Sequence, residues 1–217
     1  MQFHKDPVTD RARGLPPETE GLRERKQRET RARIAAKGFA LFLERGYDQT
    51  TLDDIAEAAG ISRRTFFSYY KSKDDIIIAW QLDGWQAMLA GLRTVSPDRA
   101  PLDAVRDMLV QNTAGFESEQ MKAIDAMMRS SDTLMARKPA VYVLQETSLY
   151  ETLCDIWRQP ERRAALRMVA MVAIGTMRIA IETWRAEQVA EQGARSAAEV
   201  LKAAFNNLRT ELRAQSS

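Results

Sequence analysis

The 217-residue sequence contains one histidine, His4, and one cysteine, Cys154. A single cysteine excludes an internal disulfide, and one histidine in a polar N-terminal stretch cannot build a metal site with it at any motif spacing. No metal and no other cofactor is expected. Serine or cysteine triads and zinc-water chemistry need a well-placed histidine, and none follows residue 4, so a hydrolase is disfavoured and no catalytic residue is assigned. Long apolar runs are missing too. The longest strongly apolar stretch, Met168 to Met177, is ten residues before Arg178 interrupts it, short of the roughly 18 that span a bilayer. The opening MQFHKDPVTD has no apolar h-region, so no signal peptide is read. The expectation is a protein without a membrane segment, working in a reducing cytoplasm.

Hydrophobic residues at 45% and charged residues at 29%, with 10 Gly and 7 Pro, make an ordinary globular composition with chain enough for one or two domains. Net charge is only +2, but residues 22–73 hold 12 Lys/Arg against 7 Asp/Glu. Such a patch is usually a solvated face. It supports nucleic-acid binding only if a docking element sits inside it.

Residues 1–21 mix prolines, a glycine and charges and read as a flexible tail. From Leu22 onward the apolar spacing is helical, with no alternating runs, and the fold class is all-α. A first helix is expected over about 23–45. Its first turns carry Arg23, Arg25, Lys26, Arg28, Arg31 and Arg33, and Gly46 stops it. A second follows Thr50 and Thr51, whose hydroxyls can cap it, and ends near Ala59. Ser62 caps a third over 63–70. Further helices are expected at about 74–94, 102–117, 118–130, 139–157, 162–191 and 196–213, with breaks at Pro97, Pro101, Pro139, Pro160 and Gly193.

The segment Leu52 to Tyr70 has the layout of a helix-turn-helix. Ala56 sits where the helices approach, Gly60 lies in the turn, and Ile55, Ala59, Ile61 and Phe66 are buried between them. This locks a short second helix for the major groove, with Arg63 and Arg64 at its start. Alone these arginines would be solvent-facing; the capped, spaced motif favours DNA contact. Phe66 and Tyr70 read as core.

GYDQTTLDDIAEAAGISRRTFFSYYKSKDDI resembles the N-terminal signature of the TetR family of bacterial transcription regulators, closely over about residues 31–78. The resemblance implies a three-helix DNA-binding domain at 22–72 and a helical ligand-binding and dimerisation domain at 73–217. It further implies a homodimer on an inverted-repeat DNA operator, released by a small molecule. It puts Thr51 on a phosphate, Arg63, Arg64, Thr65, Ser68 and Tyr69 on the exposed face of the recognition helix, and Lys73 at the family's phosphate-binding lysine. Arg28 belongs to the basic arm that adds nonspecific affinity. Phe67 stands where many members have Tyr, which removes a hydroxyl but keeps ring contact with sugar or thymine methyl. Gly38 replaces the commoner alanine and weakens its helix by up to about 1 kcal/mol.

In the remainder, helical bundles build ligand sites between facing helices. The resemblance makes the last two helices the dimer interface, with Val200, Leu201, Ala204, Phe205, Leu208 and Leu212 against Val169, Val172, Ala173, Thr176 and Ala180. Ligand candidates are Trp85, Met88, Phe116, Met127 and Met128, then Leu144, Trp157, Met171 and Met177; ordinary core packing is the favoured reading for most of them. Arg178 either pairs with Glu182 one turn on or anchors a carboxylate or phosphate of an apolar ligand. RSSDTLMARKPAVYVLQET and IAIETWRAE are similar to regulators of the acyl-CoA-binding subgroup, which implies an acyl-CoA or fatty-acid effector. The reading is a ligand-responsive repressor. An activator on the same scaffold is one alternative, and a small-molecule carrier or enzyme with an attached DNA-binding module is another.

Overall fold

The structure, a computed structural model, describes residues 21–113, 119–190 and 195–214. All regular structure among them is helical. In chain order, α1 is Leu22–Arg45, α2 Leu52–Ala58, α3 Arg63–Phe67, α4 Lys73–Leu92 and α5 Pro101–Gln111. They are followed by α6 Glu119–Ser130, α7 Asp132–Ile156, a 3₁₀ turn at Pro160–Arg162, α8 Arg163–Ala190 and α9 Ala197–Ala214. The chain divides into two compact units, one taking the residues up to Ala87 with Ala123–Arg137, the other Met88–Lys122 with Lys138 onward.

In the first unit α1, α2, α3 and α4 surround one core. Ile34, Phe39 and Phe42 of α1 meet Ile55 and Ala56 of α2, Phe66 of α3, and Ile76 and Ile77 of α4. Ile124, Met128 and Leu134 join the same core. Its ends are closed by local chemistry. Gly46, at φ 89°, takes the left-handed stop and donates its N–H to the Phe42 carbonyl at 3.0 Å. Gly60, at φ 66°, turns α2 into α3 while the Ile61 N–H reaches the Ala56 carbonyl at 2.9 Å, the six-to-one bond of a Schellman stop. Arg33 of α1 donates to the Ala59 carbonyl at 3.1 Å, and the Tyr70 hydroxyl donates to the Arg31 carbonyl at 3.3 Å. Part of the basic arm is therefore structural.

The second unit buries Leu89 and Leu92, Val105, Met108 and Leu109 of α5, Leu149 and Leu153 of α7, and Leu166, Ala170, Ala173 and Ile174 of α8. α8 packs on α9 and α5, and α9 buries Val200, Leu201 and Phe205. Arg209 of α9 donates to the Asp103 carboxylate of α5 at 2.7 Å. The Trp157 indole N–H donates to the Pro97 carbonyl at 2.7 Å.

Three expectations are corrected. Pro139 does not break the chain, because α7 starts at Asp132 and carries it inside. The i−4 carbonyl that the proline leaves unpaired belongs to Met135, and both residues are exposed, so water can satisfy it. α3 ends at Phe67, not Tyr70. Ser68 and Tyr69 donate back to Thr65 and Phe66 at 3.1 and 2.9 Å, a tight turn that ends the helix. The expected helix at about 162–191 is present with Arg178 inside it, so what is corrected is the ten-residue limit set on the apolar stretch. Pro160–Ala190 is long and apolar enough by length and composition to cross a membrane; Leu166, Ala170, Ala173 and Ile174 on it are buried, and the helix packs on α5 and α9. The expected tail, the Gly193 break and Phe116 lie outside the described residues.

Gly38 has a packing reason. A Cβ there would lie 2.9 Å from the Ile76 Cδ1 and 3.6 Å from the Ile55 Cγ2, so glycine lets α1 and α4 close up. Gly38→Ala displaces only the mobile end of Ile76 and regains helix propensity, so unfolding free energy stays within about 1 kcal/mol of the parent. Gly38→Val adds a branched side chain to a filled core and lowers it by about 1–3 kcal/mol. Urea titration of both variants checks this, and a valine protein as stable as the parent would overturn it.

Candidate nucleic-acid interface

The interface is built from two short helices that cannot stand alone. In α2 the Thr51 hydroxyl oxygen accepts the Asp54 N–H at 3.2 Å, and the Asp54 carboxylate accepts the Thr51 N–H at 2.8 Å. This reciprocal box satisfies the free donors of the first turn. The Thr51 hydroxyl also donates to Asp54 at 2.6 Å. That bond, followed by the backbone one, holds the Asp54 carboxyl below its ordinary value. For a phosphate to receive the Thr51 hydroxyl hydrogen, this bond must be exchanged.

In α3 the Ser62 hydroxyl oxygen accepts the Thr65 N–H at 3.1 Å, and Phe66 is fully buried. Burying Phe66 turns its neighbours outward. Arg63, Arg64, Phe67 and Ser68 are exposed, while Thr65 and Tyr69 are half-buried. The Thr65 hydroxyl lies 2.8 Å from that of Ser62. Arg63 Nη1 donates to Asp53 at 2.9 Å, and its guanidinium carbon lies 5.9 Å from the Phe67 ring centroid. Arg28 is exposed on α1. Four side chains of α3 and its following turn thus make an outward face of two guanidinium groups, an aromatic ring and a hydroxyl. Such a set can reach phosphates, base edges and thymine methyls.

Lys73 has an inward role. Its ammonium donates to the carbonyls of Tyr47 at 2.6 Å and Thr50 at 3.2 Å and sits 4.2 Å from the Tyr47 ring centroid. Burial pushes its pKa below the ordinary lysine value. The Tyr47 hydroxyl donates to Asp74, whose carboxyl is raised by burial. Asp75 accepts from Arg137 at 2.6 Å and from the Lys71 N–H at 2.8 Å. Burial raises its carboxyl, but these bonds win and hold it below the ordinary value. No local pattern marks the Arg137 contact, since its partner is 62 residues away.

The ligand candidates are distributed between the units. Trp85 and Met128 are buried and Met127 half-buried in the first unit. The Gln81 amide donates to the Met128 sulfur at 2.9 Å. In the second unit Trp157 and Met177 are buried and Met88 half-buried, while Leu144 and Met171 are 50% and 51% exposed. Arg178 is also on the surface, 4.0 Å from Glu182 and 6.0 Å from the Tyr142 ring centroid, the ion pair that its spacing allows. An open groove of about 320 Å³ is lined by Trp157 with Cys154, Arg158 and Arg163, among others, and contains none of the other candidates. Two polar atoms that sequence reasoning missed are buried without a hydrogen-bond partner among the described residues: Gln145 Oε1 on α7 and Trp184 Nε1 on α8.

A capped helix-turn-helix with a cationic outward face, among described residues that are otherwise helical, is the arrangement by which such modules dock on duplex DNA. Residues 34–80 match the family model of bacterial regulatory proteins, tetR family. The chain is 32% identical over 130 residues to the HTH-type transcriptional regulator TcmR of Streptomyces glaucescens, covering 58% of this chain and 56% of that one. It spans about half the length of the curated relatives it matches. Its fold is shared with a TetR transcriptional regulator from Rhodococcus sp. RHA1, at TM-score 0.54 and 19% identity over 84% of this chain and 97% of the other. It is also shared with Thermus thermophilus FadR, a TetR-family transcriptional repressor, at TM-score 0.51 and 24% identity over 81% and 91%. Residues 34–80, which run from within α1 through α2 and α3 into α4, are thus the part of the chain that is similar to the TetR family in sequence, and the helical architecture is shared beyond it.

Lys73→Met keeps the aliphatic stem and removes the ammonium, leaving the Thr50 carbonyl without this donor and the Tyr47 carbonyl with the Thr50 N–H at 3.3 Å. The expected loss is about 1–3 kcal/mol of unfolding free energy in the absence of DNA. Thermal or urea unfolding checks it. Full stability with weakened DNA binding would instead assign the lysine to phosphate alone.

Proposed function

We propose that this protein binds an inverted-repeat operator as a homodimer and represses transcription until an apolar or amphipathic small molecule releases it. The observation that carries the reading is the outward face of α3, where Arg63, Arg64, Phe67 and Ser68 stand exposed around the buried Phe66. Thr51, Thr65, Tyr69 and Arg28 are the flanking contacts of this reading, and Lys73 contributes chiefly by fixing the loop before α2. Two copies are needed because a two-fold operator presents successive major grooves about 34 Å apart. The exposed apolar residues Met168, Met171, Val172 and Ile179 of α8, at helical spacing, suit a partner copy of the same helix pair.

Release follows if ligand stabilises a form in which the two recognition helices no longer fit that spacing. Buried polar atoms normally have a partner, so Gln145 Oε1 and Trp184 Nε1, which have none among the described residues, are each a place where a ligand hydrogen bond would be gained. The buried Trp157 and Met177 and the half-buried Met88 are the apolar candidates in the same unit. Because Thermus thermophilus FadR was solved in complex with lauroyl-CoA, acyl thioesters are the first class to try. The site of action under this reading is the cytoplasm, where operator DNA is.

Selection of bound duplexes from a random pool, followed by footprinting with and without acyl-CoA thioesters of increasing chain length, tests the whole reading. A protected inverted repeat that is lost with one chain length supports repression by release. Protection strengthened by ligand would favour an activator, and turnover of the thioester would favour an enzyme with an attached DNA-binding module. On the selected site, Arg63→Ala is expected to cost about 1–3 kcal/mol and to relax preference at one base pair. Equal binding by variant and parent would remove Arg63 from base reading.

For the ligand end, Trp184→Phe removes an N–H that nothing accepts, so the unliganded protein should unfold within about 1 kcal/mol of the parent. In thermal-shift titration it should lose the stabilisation that the best thioester gives the parent. No stabilisation of the parent at any chain length would exclude the acyl class.

A further inference from the structure

The surroundings of Arg63 bring in a residue that no reading of α3 alone includes. We infer that Asp53 is a specificity-determining positioning residue, whose carboxylate holds the Arg63 guanidinium with its Nε–Nη2 edge turned to a guanine in the major groove. This rests on the proposed reading of base edges by Arg63.

Three observations carry it. First, Asp53 Oδ2 accepts from Nη1 of Arg63 at 2.9 Å across the helix-turn-helix, and no second hydrogen bond ties the guanidinium among the described residues. A guanidinium has five donors, and the Nε–Nη2 pair is one of its two parallel forks that can match guanine O6 and N7. Binding Nη1 leaves that fork open. Second, the guanidinium carbon lies 5.9 Å from the Phe67 ring centroid, and Phe67 is itself fixed edge-on to the buried Phe66 at 5.8 Å. The arginine is thus held by a carboxylate and a ring that leads back to the core. Third, folding does not require the pair. Both side chains are largely exposed, at 59% and 66%, where an ion pair contributes little to stability, and the cap of α2 is made by Thr51 with Asp54.

Two physical effects follow. An arginine already oriented loses less side-chain freedom when it meets a base, so the correct site gains. A carboxylate beside the DNA backbone repels phosphates, so a site that offers Arg63 no guanine is penalised. Asp53 therefore lowers affinity for DNA in general and raises the contrast between sites.

The test uses the full chain and a duplex obtained by random-pool selection, with variants in which each base pair is changed and each guanine is replaced in turn by 7-deazaguanine. Binding is read by fluorescence anisotropy over a range of salt. The proteins are the parent, Asp53→Ala, Asp53→Asn, Arg63→Ala and the Asp53→Ala/Arg63→Ala double variant. Asp53→Ala should lose roughly tenfold discrimination at a single guanine and bind unrelated DNA more tightly. Asp53→Asn, whose amide oxygen can still accept from Nη1, should keep part of the discrimination. The double variant should discriminate no worse than Arg63→Ala. Unchanged discrimination in Asp53→Ala, with Arg63→Ala impaired, overturns the role of Asp53 alone. Unchanged discrimination in Arg63→Ala overturns the reading of Arg63 as well. A uniform loss of affinity on all DNA together with a lowered melting temperature would make Asp53 a folding residue and also overturn the inference.

Discussion

A helix of five residues cannot hold itself together in water, because its nucleus fixes several residues for one hydrogen bond. α3 exists because Phe66 is drawn into the core with Ile34, Ile55, Ile76 and Ile77, and because Ser62 caps the single turn on which Phe66 sits. Everything functional in the first unit depends on that one side chain. With Phe66 inward, helical geometry turns Arg63, Arg64 and Phe67 outward. The recognition surface is a consequence of burial at its centre, and α2, α1 and α4 are the walls that make the burial worthwhile. Gly38 sets how near two of those walls can stand.

The loop before α2 and the start of α4 form a second, polar support. Lys73, Tyr47, Asp74, Asp75 and Arg137 are joined by hydrogen bonds between groups far apart in sequence. Buried polar groups destabilise unless paired, and here the Lys73 ammonium satisfies carbonyls of the loop while Arg137 compensates Asp75. The opposite displacements of two neighbouring carboxyls express the same fact. Asp74 is raised by burial, whereas the guanidinium and the Lys71 N–H outweigh burial at Asp75. For Asp75 the sign is that of a depressed acid. Its contribution to stability is present above the ordinary carboxylate range and is lost as pH falls through the lowered value. At Asp74 a raised carboxyl does the opposite: stability is gained as pH falls through the raised value, so the two neighbours contribute with opposite signs.

Much of this was legible in the sequence where the signal is local. Caps at Thr51 and Ser62, stops at Gly46 and Gly60, and the inward Phe66 are short-range patterns, and the structure has each of them. The reasoning ran out where a residue's role depends on a distant partner. Lys73 reads as a phosphate ligand from its position after the motif, yet its ammonium is turned toward carbonyls more than twenty residues earlier. Pro139 reads as a break because proline removes a donor, but a solvent-facing turn tolerates that loss. Leu144 and Met171 have the composition of a pocket and the exposure of a surface, since periodicity does not say which side of a bundle is wet. Gln145 and Trp184 carried no sequence signal at all, because lacking a partner is a property of the packing.

Charge was legible only as a sum. The excess of basic residues over 22–73 suggests a broad cationic patch, but the pairing inside it divides the cations into two groups. Arg33 and Lys73 spend their donors on backbone carbonyls, Arg31 lies by Tyr70, and Arg25 pairs with Glu29 at 2.8 Å. The side chains of Arg64 and Lys71 make no ion pair among the described residues, and both are exposed. Counterion release on DNA depends on cations that meet phosphates, whatever the formal charge of the domain. The acids divide in the same way: Asp54 serves a cap and Asp75 a buried-side ion pair, which leaves Asp53 as the carboxylate on the reading face that is bound to an arginine there. A domain whose net charge is modest can therefore still place cations outward, and on the inference drawn for Asp53 the carboxylate paired with Arg63 on that face would penalise contacts that lack the right base.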